Sequence, residues 1–96
     1  MITYELVLPP DFQDYAWEVE SKGWFSEAVL LHLNKRYRLN FYNPVRLVQE
    51  IGDSLRSQPL FIVPNLLVVN SITETAMHKA VGHAVAVGLV RDFLAE

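Results

Sequence analysis

The chain of 96 residues has no cysteine, four glycines and five prolines. Without cysteine there are no disulfides, no thiolate metal sites and no cysteine nucleophile, so folding cannot rely on oxidation. Gly23, Gly52, Gly82 and Gly88 stand singly, which leaves no glycine-rich loop to cradle a phosphate. No Gly-x-Ser-x-Gly elbow occurs, and Ser21, Ser26, Ser54, Ser57 and Ser71 all read as cap, turn or surface residues. Long apolar runs are also missing. The nearly uncharged tract Ala80 to Val90 carries His83 and two glycines and is about half the length a bilayer requires, so it reads as a buried helix. A net charge of -3 gives no general attraction to nucleic acid or anionic lipid. Met1 to Leu8 has no basic start and is interrupted by Glu5, which is not a signal-peptide pattern; the expectation is a cytoplasmic protein without a membrane partner.

What is present suits one globular domain. Hydrophobic residues make up 51%, aromatic 11% and charged 20%, too apolar for a disordered segment. A domain of this length buries roughly two thirds of the surface its unfolded chain exposes, enough for one core. No cofactor or metal is needed to complete it, and none is expected.

Local patterns predict the elements. Ile2, Tyr4, Leu6 and Leu8 alternate with Thr3, Glu5 and Val7 as in a strand, which Pro9 and Pro10 end. Phe12, Tyr15, Ala16 and Val19 fall at helical spacing, and Lys22 with Gly23 supplies a stop, giving a helix from about Asp11 to Lys22. Ser26 to Leu33 reads as a strand, with a short helix as the runner-up. Tyr37, Leu39 and Phe41 alternate with Arg36, Arg38 and Asn40 in the next strand. A three-residue loop of Asn34, Lys35 and Arg36 is expected between them, because it pairs Leu33, Leu31 and Val29 with Tyr37, Leu39 and Phe41 on one apolar face; the alternative is a two-residue Asn34–Lys35 loop.

Asn43 followed by Pro44 is a helix start. Val45, Val48, Ile51 and Leu55 then mark the stripe expected to be buried in a helix running to about Ser57. Pro59 to Val69 is rich in β-formers but interrupted by Pro64 and Asn65, and reads as a hairpin or a strand broken at the proline. Ser71 and Glu74 form a capping-box pattern ahead of one long last helix, with apolar residues from Ile72 to Leu94.

The expected fold class is therefore α+β, a two-layer sandwich with the ferredoxin-like βαββαβ order and an additional C-terminal helix. That helix would cover the open sheet face or pair with its copy on another chain.

Candidate chemistry is sparse. His32, His78 and His83 are the three histidines. On a helix the last two lie about 140° apart around the axis, so they do not form a metal-binding i, i+4 pair. Asp14 and Glu18 share a helix face, but with Asp11 and Glu20 they read first as a solvated acidic surface. With no reactive constellation, the expectation leans away from an enzyme.

Lys35, Arg36 and Arg38, interleaved with Tyr37 and followed by Phe41 and Tyr42, make the one basic and aromatic cluster. The eight residues from Lys35 to Tyr42 resemble the third-strand motif of the RNA recognition motif, a family that shares the βαββαβ order. Arg36 and Arg38 stand where that motif has glycine and a small residue, and Tyr37, Leu39 and Phe41 fall on one face. Binding implied by the resemblance would thus be electrostatic rather than by stacked aromatics. Lys35, Arg36, Arg38, Asn40, His32 and Tyr42 are the candidate ligand or nucleic-acid face, and a solvated surface is the plainer reading.

The last helix carries the more unusual pattern. Ala76, Ala80, Ala84 and Gly88 recur every four residues, while Val87, Val90 and Leu94 lie away from that stripe. A helix apolar on more than one side must be covered on more than one side. These seven residues are the candidate interface of a non-enzymatic interaction domain that pairs with itself, or with another protein. The alternatives are single-stranded nucleic-acid binding through the basic sheet face and a small-metabolite enzyme with its site in a dimer cleft.

Overall fold

A computed structural model describes residues 3–96; the expected place of Ile2 in the first strand lies outside the described residues. The elements follow in the order β1 (Glu5–Val7), α1 (Phe12–Lys22), β2 (Trp24–His32), β3 (Lys35–Tyr42), α2 (Pro44–Ser57), β4 (Leu66–Val68) and α3 (Glu74–Ala86), with a 3₁₀ turn at Leu89–Asp92. The class is α+β, and the order along the chain agrees with the β-α-β-β-α-β expectation. In space the strands lie 1-2-3-4. β1, β2 and β3 are antiparallel neighbours, and β4 runs parallel to β3, so the sheet is mixed, unlike the wholly antiparallel sheet that a ferredoxin-like order implies. Among the described residues, no helix is long and apolar enough to cross a membrane.

One sheet face carries the core. Leu6, Phe25, Ala28, Leu30, Tyr37, Leu39 and Phe41 are buried against Phe12 and Val19 of α1, Met77, Val81 and Val85 of α3, and Ile72 and Val90 beside it. The covering helices are thus α1 and α3. The last helix fills the sandwich position that the βαββαβ reading reserves for α2.

The β2–β3 turn corrects the expected register. The loop is Leu33 and Asn34, both with positive φ (51° and 66°), the two-residue type I′ geometry whose twist matches the strands. Leu30 then faces Tyr37 and Ala28 faces Leu39. A bulge at Ser26–Glu27 brings Phe25 back into phase opposite Phe41. Burial does set the register, but it is Ala28 and Leu30 that face the helices; Val29 is buried on the other face, Leu31 is half-buried and Leu33 exposed. Leu33 bears the cost, exposed and held in a left-handed backbone that disfavours branched side chains.

Helix ends follow from local chemistry, with two corrections. Gly23, with φ of 81°, closes α1 and donates its N–H to the Val19 carbonyl at 3.0 Å. The Asn43 side chain accepts from the Arg46 N–H at 2.7 Å, as its position before Pro44 predicts. At α3 the cap is Thr73, whose hydroxyl accepts from the Ala76 N–H at 3.1 Å, in place of the Ser71 box. The expected long helix to Leu94 stops at Ala86, because Gly88 turns left-handed (φ 79°) after it. Asn65, also left-handed, breaks the chain after Pro64. Its side chain accepts from the Leu94 N–H at 2.7 Å and donates to the Arg38 carbonyl at 2.9 Å, fixing the segment after the 3₁₀ turn beside β3.

Candidate interaction surfaces

The register divides the basic cluster. Arg36, Arg38, Asn40 and Tyr42 share the sheet face opposite the core, with Leu31 opposite Arg36 and Val29 opposite Arg38. His32 faces Lys35, and alternation puts that pair on the side of Leu30 and Tyr37. His32 was expected to line up with Arg38 and Asn40, and the two-residue turn is what separates them. Its Nδ1 lies 3.0 Å from the Thr3 carbonyl oxygen. Arg38 is 3.5 Å from the Glu96 carboxylate, and the Asn40 amide donates to the Pro64 carbonyl at 2.8 Å. Two of the four open-face residues are therefore already engaged. A broad open depression of about 830 Å³ at the hairpin end is lined by Glu5, Leu31, Lys35 and Arg36, among others. It presents charges of both signs and contains no Ser or Cys nucleophile.

Tyr42 joins this face to α2. Partial burial pushes its phenol above the ordinary value; the nearby Glu50 carboxylate acts in the same sense and Arg46 against it. Arg46 and Glu50 are themselves paired at 2.6 Å. Tyr15 on α1 is raised in the same way, by desolvation first and then by Asp11 and Glu27. Asp14 and Glu18 are exposed, as are His78, 3.7 Å from Glu74, and His83. Among the described residues there is no cluster of His, Asp or Glu that would hold a metal ion.

The last-helix residues separate into two groups. Ala84 and Val90 are buried within the fold, and Ala76 and Ala80 are half-buried. Val87, Gly88 and Leu94 remain exposed.

α2 is the surface that sequence reasoning missed. Its apolar stripe was expected to be buried, yet among the described residues none in α2 is. Val45 and Val48 are each 69% exposed and Leu55 50%, and the segment that follows adds Leu60 at 56% and Ile62 at 79%. Leu47 and Ile51 are half-buried, on the same side as Arg46, Glu50 and Ser54. The apolar surface is therefore wider than the side turned to the body. A signal for this existed in the count of layers, since two amphipathic helices suffice to cover one face of a four-stranded sheet and this chain has three. Sequence alone assigned the surplus to the last helix; the structure assigns it to α2. Comparison with protein-family models, curated proteins and solved structures finds no match for this chain.

Proposed function

We propose that the protein is a non-enzymatic interaction domain that works as a homodimer. The observation that supports this is the exposed apolar face of α2, with Leu60 and Ile62 also exposed in the segment that follows it. Single exposed apolar side chains are ordinary, but a contiguous group on one helix marks an interaction surface. A second copy of the chain is the partner always at hand, and it brings the same need for cover. Light scattering over a concentration series tests the reading, with twice the monomer mass expected at the upper end. A sharp monomer mass throughout would count against it.

A second reading has its own observation. Arg36, Arg38 and Tyr42 share the open sheet face, with Trp24 opposite Tyr42, an arrangement able to hold a single-stranded nucleic acid by charge and limited stacking. The Arg38–Glu96 pair and the net charge of -3 weaken it. Fluorescence anisotropy with mixed oligonucleotides at low salt, where electrostatic binding is strongest, decides between the two.

A further inference from the structure

We infer that the homodimer closes through α2, two copies of the helix packing antiparallel about a two-fold axis near Glu50. This rests on the homodimeric reading and names its surface. Val45, Val48, Gly52 and Leu55 are all exposed. They follow one another at spacings of three, four and three residues, the repeat of a coiled-coil seam. The pattern reads the same from either end, because 45 with 55 and 48 with 52 share one midpoint. An isologous antiparallel pair therefore sets Val45 of each copy against Leu55 of the other, and Val48 against Gly52. Valine over glycine is a knob over a vacant hole. Among the described residues, nothing beyond its chain neighbours and the backbone of its own helix lies within 4 Å of where a Cβ on Gly52 would stand.

Charge selects both the occupant and the direction. α2 carries four charged residues, Arg46, Glu50, Asp53 and Arg56, paired within the helix at 2.6 Å (Arg46–Glu50) and 3.4 Å (Asp53–Arg56). Its net charge is zero, unlike the basic face of a helix that lies on anionic lipid. A parallel pair would align the two helix dipoles, bring Arg56 of both copies together and leave Gly52 facing Gly52. The antiparallel pair opposes the dipoles and separates the two arginines by about 18 Å along the axis. Seam residues and the flanking Gln49, Ile51 and Arg56 form a contact at the small end of specific interfaces, below about 1,200 Å² in total, where association is weak and reversible.

Two measurements on the full chain test this. Gly52→Glu adds a helix former at an exposed position and sets a carboxylate one turn before Arg56, so the single chain keeps or gains thermal stability. In the pair that carboxylate is buried against Val48, and dimerisation weakens at least about tenfold. The absence of cysteine permits clean oxidative trapping. A mixture of Val45→Cys and Leu55→Cys chains gives the mixed disulfide dimer. Each variant alone gives none, since its two sulfurs are held about 15 Å apart along the axis, beyond the reach of a disulfide. A wild-type dimer that persists in Gly52→Glu, or that traps each single variant with itself, overturns the antiparallel seam while leaving the homodimer standing. A chain that remains monomeric at several hundred micromolar overturns both.

Discussion

α2 and α3 are helices of fourteen and thirteen residues that use their apolar side chains in opposite ways. α3 is broadly apolar, with small residues among large ones, and buries Met77, Val81, Ala84 and Val85. α2 separates polar from apolar residues far more sharply, yet none of its described residues is buried. A sharp stripe therefore measures how well a face could be covered, and the rest of the fold decides whether it is. In this chain α1 and α3 have already filled the layer against the sheet, and α2 is left with its apolar side outward.

Truncating the two helices to alanine should break or confirm that contrast, and it carries the largest expected effects. Met77→Ala in α3 should cost about 2–5 kcal/mol, against about 3–5 kcal/mol for Phe41→Ala in β3 as the reference for a core strand residue, since both side chains are fully buried in the shared core. Val48→Ala and Leu55→Ala, measured by urea unfolding at a concentration where the chain is monomeric, should stay within about 0.5 kcal/mol. An α2 truncation as costly as Met77→Ala would mean that α2 is packed.

Much of the fold was legible because its signals are local. Alternation places Tyr37, Leu39 and Phe41 in the core, Asn43 with Pro44 starts α2, and Gly23 ends α1. The parts that failed depend on distant partners or on a tolerated misfit. Leucine carries no local sign of a left-handed turn, so Leu33 hid the true loop and with it the separation of His32 from Arg38. Gly88 reads in the sequence as part of a smooth stripe, whereas its left-handed backbone makes it a stop. The pairing of β4 with β3 is set by contacts beyond any local window. For the candidate surface, period identified the α2 stripe correctly, while its exposure depended on what α3 does elsewhere.

The caps sharpen the comparison at smaller scale. Thr73→Ala should lower global stability by about 1 kcal/mol, because α3 belongs to the cooperative core. Asn43→Ala removes an equivalent bond, but its effect should appear mainly as lost amide protection in the first turn of α2, which opens with little cost to the rest. If the two variants lower the unfolding midpoint equally, α2 is as integral as α3. Leu33→Gly should stabilise the chain by up to about 1 kcal/mol, read in the same unfolding experiment, because it relieves the left-handed backbone at an exposed position.

The smallest effect concerns pH. Burial raises the Tyr42 phenol above its ordinary value of 10.0, so the fold favours the neutral ring. That contribution is fully present below the unfolded value and is lost as pH rises through the folded one. Ultraviolet titration should show Tyr42→Phe removing one late-titrating phenol, with Tyr15 supplying another; an unchanged late phase would contradict the placement of Tyr42 beside α2.

Hydrogen exchange followed residue by residue across a concentration series tests the central claim most directly. Amide protection in Pro44–Ser57 should be low in dilute solution and rise with concentration, while that of Glu74–Ala86 stays high and constant. Protection in α2 that matches α3 at every concentration would contradict an uncovered helix awaiting its second copy.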